Sequence, residues 1–166
     1  QAAAFFRSIN EYRCADVAAE LPLAADACFS IQEHLDLAGI RVQRLTDLKE
    51  QTEVEHEAKA FVMEQIVPLW GRLQSKFIQE RLHPSLNKAL SPEMRVLSPS
   101  DFGFHNALEY KGNLSFIDFE YAGWDDPTKL LCDFICQPEV PVSASQGKQF
   151  MVDSLLDFPN TQLILH

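Results

Sequence analysis

Residues 97–127 carry the strongest structural signal of this 166-residue chain, and they comprise LSPSDFGFHNAL (97–108), EYKGN (109–113) and LSFIDFEYAGWDDP (114–127). The part from 98 to 103 is rich in Ser, Pro, Asp and Gly, which predicts a loop. Two short runs of strand-forming residues follow, 107–110 and 114–119, separated by Lys111-Gly112-Asn113. A three-residue connection that contains glycine, between two such runs, predicts a β-hairpin.

Three polar side chains lie near the open end of this hairpin, opposite its turn, namely Asp101, Asn106 and Asp118. Because a hairpin places the bases of its strands side by side, we expect the three to converge. Two carboxylates and one carboxamide suit Mg²⁺, which binds few protein oxygens and completes its shell with water and phosphate. Phosphoryl transfer needs such a set, with one carboxylate to accept a hydroxyl proton and the other oxygens to hold the metal.

The spacing Asp-x-x-x-x-Asn, then a hairpin, then Ile-Asp-Phe is the order of catalytic and metal loops in the protein-kinase superfamily. Residues 97–127 resemble the aminoglycoside phosphotransferase / choline kinase family, which typically has His-Gly-Asp-x-x-x-x-Asn, Ile-Asp-Phe-Glu, Gly-Trp and Asp-Pro. The resemblance implies an α+β, mainly α fold: the helical C-terminal lobe of a kinase-like fold, with a small hairpin that carries the catalytic and metal loops. It also implies that Asp101 is the catalytic base, that Asn106 and Asp118 bind Mg²⁺, and that ATP or GTP is the donor.

Three further residues are candidates for contact with substrate or for support of the site. Glu120 lies two residues after Asp118, so on a strand the two side chains share one face. Glu120 either holds a metal-bound water, contacts the substrate, or is a solvated surface acid. His105 either contacts the substrate or braces the loop. Trp124 either packs against the loop after Asp118 or lines a sugar pocket.

Two positions depart from the family pattern. Pro99 stands where the family has His two residues before the base, and proline offers no side-chain hydrogen bond, so the loop must be braced in another way. Leu130 stands at the last acidic position of Asp-Pro-x-x-Asp, and Asp133, one helical turn later, is a candidate substitute.

The nucleotide-binding half of a kinase has no counterpart in this sequence. No two of the six glycines lie within six residues of each other, which excludes a Gly-x-Gly-x-x-Gly loop, and no lysine stands in a Val-Ala-Ile-Lys-like strand. We therefore expect residues 1–166 to form a kinase-like C-terminal (substrate/catalytic) lobe, with the N-terminal nucleotide lobe not present in this sequence. The chain is then either a piece of a longer kinase or a degenerate relative.

Helices are predicted in the first half and again near the end. Apolar residues at three- and four-residue spacing predict a helix from Ala24 to Ala38 that stops at Gly39. Thr52 and Glu55 have the spacing of a capping box, and Pro68 should kink or split the long helix that follows. Near the C-terminus, a helix is predicted over 129–136, a loop through Gly147, and a last helix over 149–156.

Composition narrows the possible partners and the compartment. The chain is 46% apolar and 23% charged, a composition typical of globular proteins. Its net charge of 14 − 24 = −10 argues against binding to nucleic acid or to anionic lipid. The sequence contains no run of about 18 apolar residues, so no membrane-spanning helix is predicted. Four cysteines without a Cys-x-x-Cys pair predict reduced, buried thiols and a cytoplasmic protein.

The sequence thus predicts a small-molecule kinase that transfers the γ-phosphoryl group of ATP or GTP to a hydroxyl of an aminoglycoside, a sugar or an amino alcohol. Two other classes remain open. One is a non-catalytic kinase-like binding module or degenerate relative, and the other is a Mg²⁺-dependent hydrolase that uses the same carboxylates. The acceptor, the choice between ATP and GTP, and the oligomeric state are not determined by these patterns.

Overall fold

The computed structural model describes residues 1–80 and 87–155 and shows an α+β protein that is mainly helical. The predicted fold class is confirmed at this level. The chain divides into two compact units, one formed by Gln1–Cys28 and Leu90–His166 and the other by Phe29–Ala89. Within the described residues, no helix is long and apolar enough to cross a membrane.

The unit Phe29–Ala89 is built from helices. In order, they are α3 (Ile31–Thr46), α4 (Glu53–Phe61), a π-helical turn (Val62–Ile66) and α5 (Val67–Glu80). The predicted capping box of α4 is confirmed: the Thr52 hydroxyl accepts from the Glu55 N–H, and the Glu55 carboxylate accepts from the Thr52 N–H at 2.8 Å. A π-helical turn ends at Ile66, two residues before Pro68, so the long helix is irregular near the proline, and the kink or split stays a prediction.

The predicted bounds of α3 were wrong at both ends. The helix begins at Ile31, seven residues after Ala24, because the Ser30 side chain caps it by accepting from a backbone N–H one turn later. It also continues through Gly39, since one glycine inside a helix costs only about 1 kcal/mol. A Cβ on Gly39 would lie 3.4 Å from the Trp70 ring of α5, which is an ordinary van der Waals contact.

The other unit contains helices and two small sheets. Its helices are α1 (Ala2–Glu11), α2 (Asp16–Ala19), α6 (Pro127–Ile135) and α7 (Ala144–Leu155). Helices α1 and α6 both pack against α7 and against the first strand. A cluster of aromatic rings forms the core, and Phe102 lies in it with its ring centroid 4.9 Å from Phe116 and 5.3 Å from Phe134.

Strand β1 (Val96–Ser98) pairs antiparallel with β4 (Gly123–Asp125), and β2 (Ala107–Tyr110) pairs antiparallel with β3 (Asn113–Phe116). A 3₁₀ turn, Pro92–Met94, leads into β1, and a second one, Phe104–Asn106, leads into β2. On the other edge of β1, the backbone N–H and carbonyl of Leu97 form hydrogen bonds with the side-chain amide of the buried Asn10. Helix α1 is thereby fastened to the strand that leads to Asp101.

The predicted hairpin is confirmed, but its turn is one residue shorter. Tyr110 pairs with Asn113, so Lys111 and Gly112 alone form the turn, both with positive φ (51° and 78°). This is the backbone of a type I′ turn, whose twist matches that of the strands. The predicted loop through Gly147 was wrong, since α7 begins at Ala144, and the last predicted residue of this helix, Leu156, lies outside the described residues.

Candidate active site

Asp101 lies on a tight loop between β1 and the hairpin. The N–H of Asp101 donates to the carbonyl of Pro99 at 3.1 Å, and Ser100 between them has φ of +70°. The next side chain, Phe102, is buried in the aromatic core, whereas the Asp101 side chain is 56% exposed. The core therefore anchors the loop while its carboxylate faces solvent, where a ligand has access.

Asn106 ties the Asp101 loop to the hairpin. Its side-chain Nδ2 donates to the backbone carbonyl of Asp101 at 3.0 Å and lies 3.3 Å from the carboxylate Oδ2. Its own carbonyl accepts from the N–H of Ile117 at 3.0 Å. Since Nδ2 donates its hydrogen bonds within the loop, the side-chain oxygen Oδ1 remains available to coordinate a cation.

Asp118 follows Ile117 directly, so the hydrogen bond between Ile117 and Asn106 brings it to the base of the hairpin. Strand β3 ends at Phe116, and Asp118 has φ of +64°, in the left-handed region. The strand that we predicted through residue 119 is therefore too long, because its pairing ends where β2 begins. Glu120 lies in a turn, so the argument that a strand places it on the face of Asp118 was wrong.

Tyr121 lies in the turn that follows Asp118, and neighbouring acidic residues raise the pKa of its hydroxyl. A hydrogen bond to Glu120 and the negative charge of that carboxylate raise the pKa of the Tyr121 hydroxyl, and the charges of Asp118 and Asp101 act in the same direction. Hydrogen bonds join Asn106 to Asp101 and place the backbone of Ile117, which precedes Asp118, beside Asn106, and the convergence of all three side chains stays a prediction. We did not predict Tyr121, although its place three residues after Asp118 was a signal.

His105 is a brace inside the loop. Its side chain is only 10% exposed, and Nε2 lies 3.2 Å from Asp101 Oδ1 and 3.2 Å from Gln137 Nε2. Of the two roles considered, support of the loop fits this burial better than contact with a substrate. Gln137 was missed, because it follows α6 and nothing in the local sequence connects it to His105.

Trp124 packs against an earlier part of the chain. Its indole N–H donates to the carbonyl of Ala18 at 2.9 Å, and its backbone exchanges hydrogen bonds with Pro22 and Ala24. The side chain is half-buried. This arrangement favours the first of the two roles considered, in which Trp124 packs the loop that follows Asp118.

Asp133 belongs to a buried ionic cluster at the start of α6. The ammonium of Lys129 lies 2.7 Å from Asp133 and 3.2 Å from Asp125, which is fully buried. Burial raises the pKa of Asp125, although the charge of Lys129 opposes it. Burial lowers the pKa of Lys129, but hydrogen bonds and ion pairs with the two carboxylates outweigh this and raise it. The Asp133 carboxylate is thus engaged with Lys129.

The donor set at the base of the hairpin fits Mg²⁺. Asn106 Oδ1 and the Asp118 carboxylate are oxygen donors, and Mg²⁺ often uses one or two carboxylates with phosphate and water. In the described part of the chain, no group of three or more His, Cys, Asp or Glu side chains is placed to hold a metal ion. All four cysteines are free, and Cys28 alone is buried, so the prediction of buried thiols was wrong for the other three.

Comparison of the chain with protein-family models, with curated proteins and with solved structures found no match.

Proposed function

We propose that this chain is the catalytic lobe of a small-molecule kinase similar to the aminoglycoside phosphotransferases and choline kinases. The intact enzyme transfers the γ-phosphoryl group of ATP or GTP to a hydroxyl of an aminoglycoside, a sugar or an amino alcohol. One observation supports this most: Asp101 presents an exposed carboxylate on a loop anchored in the core, and Asn106 bonds to that loop through Nδ2 while Oδ1 stays available. Free thiols on exposed cysteines suit the cytoplasm.

In this mechanism Asp101 is the general base. Its carboxylate accepts the proton of the acceptor hydroxyl as the hydroxyl oxygen bonds to the γ-phosphorus and the bond from that phosphorus to the bridging oxygen of the nucleotide breaks. Asn106 and Asp118 would hold Mg²⁺, which would supply positive charge to the phosphate oxygens. Asn106 also keeps the loop of Asp101 in place through its bond to the backbone carbonyl.

The substitution Asp101→Asn in the intact enzyme tests the role of the base. It removes the proton acceptor but keeps the size and most hydrogen bonds, so we expect kcat to fall by orders of magnitude while nucleotide affinity barely changes. Asp36→Asn is the matched control, because Asp36 is an exposed acid on α3, in the other unit. A variant that keeps most of its kcat would remove Asp101 from this role.

The substitution Asp118→Ala tests the metal role. We expect Mg²⁺-nucleotide binding and turnover to weaken together, since Asp118 would help to hold the ion whose positive charge the phosphates need. Asn106→Ala should act in the same direction but more mildly, because an amide oxygen carries no net charge. An Asp118→Ala enzyme whose activity keeps the same Mg²⁺ dependence as the wild type would contradict the assignment.

Titration calorimetry with Mg²⁺-ATP on the 166-residue chain tests the predicted domain organisation. The triphosphate also needs cationic and backbone N–H partners, which the superfamily supplies from its N-terminal lobe. We therefore expect weak binding or none, and no turnover. Micromolar affinity, or turnover by this chain alone, would show that it contains a complete nucleotide site.

A further inference from the structure

Two buried serines flank Pro99 in the loop that leads from β1 to Asp101. Ser98 is 2% exposed and Ser100 is 7% exposed. The backbone N–H of Ser100 donates to the hydroxyl oxygen of Ser98 at 3.0 Å, and this contact is buried. A buried N–H without a partner costs free energy, so the Ser98 hydroxyl supplies the acceptor that this backbone group requires.

The Ser100 side chain reaches a distant part of the chain. Its hydroxyl donates to the backbone carbonyl of Ala25 at 3.3 Å, across 75 residues of sequence. The N–H of Ala25 in turn donates to the carbonyl of Tyr121 at 3.1 Å. Ala25 therefore joins the loop of Asp101 to the turn that follows Asp118, with one of its backbone groups bonded to each.

Residues 22–25 are themselves held against β4. Two backbone hydrogen bonds, of 2.9 and 3.0 Å, join this segment to Trp124. A Cβ at Gly123 would lie 2.3 Å from a carbonyl oxygen of the segment, so the two backbones are in close contact. The segment is therefore a fixed support, and the hydroxyl of Ser100 bonds the Asp101 loop to it.

The backbone conformation of Ser100 requires such support. Its φ is +70°, in the left-handed region, where a residue with a side chain persists only if its surroundings hold it there. Besides the two bonds already described, the carbonyl of Ser100 accepts from the N–H of Phe102 at 2.8 Å. The N–H, the hydroxyl and the carbonyl of Ser100 thus all have partners, which fixes the direction in which the chain enters Asp101.

We propose that Ser98 and Ser100 are positioning residues for Asp101, which hold its loop in a fixed place relative to the turn after Asp118. Pro99 offers no side-chain hydrogen bond, and the residues on either side of it supply the brace that the loop requires. A general base must lie within hydrogen-bond reach of the proton that it accepts, so a loop held in one place favours catalysis. The inference rests on the proposed function only where it calls Asp101 the base.

Amide hydrogen exchange of the 166-residue chain, followed by nuclear magnetic resonance, tests the brace without any assay of activity. Ser98→Thr keeps the hydroxyl, whereas Ser98→Val replaces it by a methyl group, and the two side chains have the same shape, so steric effects are common to both. We expect the Ser100 amide to exchange roughly ten- to a hundredfold faster in Ser98→Val than in Ser98→Thr, because its N–H loses the buried acceptor. Equal exchange rates would overturn the role of Ser98.

Ser100→Gly separates the hydroxyl from the backbone conformation. Glycine adopts a φ of +70° without strain, so this variant keeps the path of the loop and removes the bond to Ala25. We expect the Ala25 amide to exchange roughly three- to tenfold faster, because the bond beside it is lost. Ser75→Ala is the matched control, since it removes a hydroxyl-to-carbonyl bond of 2.8 Å on α5 and should leave the Ala25 amide unchanged. An Ala25 amide that ignores Ser100→Gly would refute the link between the two loops. Circular dichroism shows whether each variant is folded, and Ser100→Gly decides the proposal if Ser98→Val is not.

Kinetics of the intact enzyme test the consequence for catalysis. Ser98→Val and Ser100→Gly should each lower kcat roughly ten- to a hundredfold, at most the lower end of what one general base contributes, while the nucleotide KM stays the same. Ser98→Thr should remain close to the wild type. Equal kcat values in Ser98→Thr and Ser98→Val would refute the positioning role. A wild-type enzyme without phosphoryl transfer would refute the proposed function, and the exchange data would still decide whether the two serines hold the loop.

Discussion

Replacing Gly123 by alanine is the sharpest test of how the loop after Asp118 is held. A Cβ at Gly123 would lie 2.3 Å from the carbonyl oxygen of Pro22 and 2.6 Å from the backbone nitrogen of Ala24. These are backbone atoms, so no side-chain rotation relieves the overlap. Residues 22–24 must move away from β4 to admit the methyl group.

That movement breaks two backbone hydrogen bonds, from Trp124 to Pro22 at 2.9 Å and from Ala24 to Trp124 at 3.0 Å. At about 0.5–1.5 kcal/mol each, they contribute about 1–3 kcal/mol. Displacing the indole N–H from Ala18 adds about 1 kcal/mol, and the lower unfolded-state entropy of alanine returns about 0.4–1 kcal/mol. We expect the free energy of unfolding to fall by about 1–4 kcal/mol.

Urea unfolding of a Trp70→Phe background, followed by the fluorescence of Trp124, measures this change. Gly71→Ala is the matched control, because it lies in α5 with nothing within 4 Å of the added methyl group. That control should instead gain up to about 1 kcal/mol from helix propensity. The reasoning fails if Gly123→Ala unfolds within about 0.5 kcal/mol of its background and keeps the same Trp124 emission.

Three further outcomes follow from the ionic cluster and the α4 cap. Lys129→Met should lower the free energy of unfolding by about 3–5 kcal/mol, because Asp125 keeps a buried charge without its partner; equal urea midpoints would contradict this. The raised pKa of Lys129 stabilises the fold fully below the ordinary lysine pKa of about 10.4, and this stabilisation is lost as the pH rises through the folded-state value. The difference between wild type and Lys129→Met should therefore shrink in strongly alkaline urea titrations. Thr52→Ala should cost about 1 kcal/mol in thermal unfolding followed by circular dichroism, whereas Thr52→Ser should retain the cap.

Local signals in the sequence were sufficient for the elements that depend on neighbours in the chain. The capping box of α4 needs only Thr52 and Glu55, and the hairpin needs only two strand-forming runs with Gly112 between them. The irregular turn before Pro68 lies close to the residue whose missing N–H predicts a kink. In each case the interacting groups are a few residues apart, so spacing alone identifies them.

The predictions that failed are those in which packing overrode a local preference. Gly39 predicts a helix stop, but α3 continues through it to Thr46 and lies beside Trp70 of α5. Gly147 was predicted in a loop, but it lies in α7 where that helix approaches α6 closely, since an added Cβ would lie 3.2 Å from Ile135. A glycine that permits close approach and a glycine that ends a helix look the same in sequence.

The sequence by itself determined the chemical character of the candidate site, namely Asp101, Asn106 and Asp118 at fixed spacing around a hairpin. Only the tertiary structure decided how that site is supported. His105 and Gln137 are 32 residues apart, and Trp124 and Ala18 are 106 apart. The physical reason is that hydrogen bonds between distant residues depend on the path of the chain through the core, and residue spacing contains no information on that path.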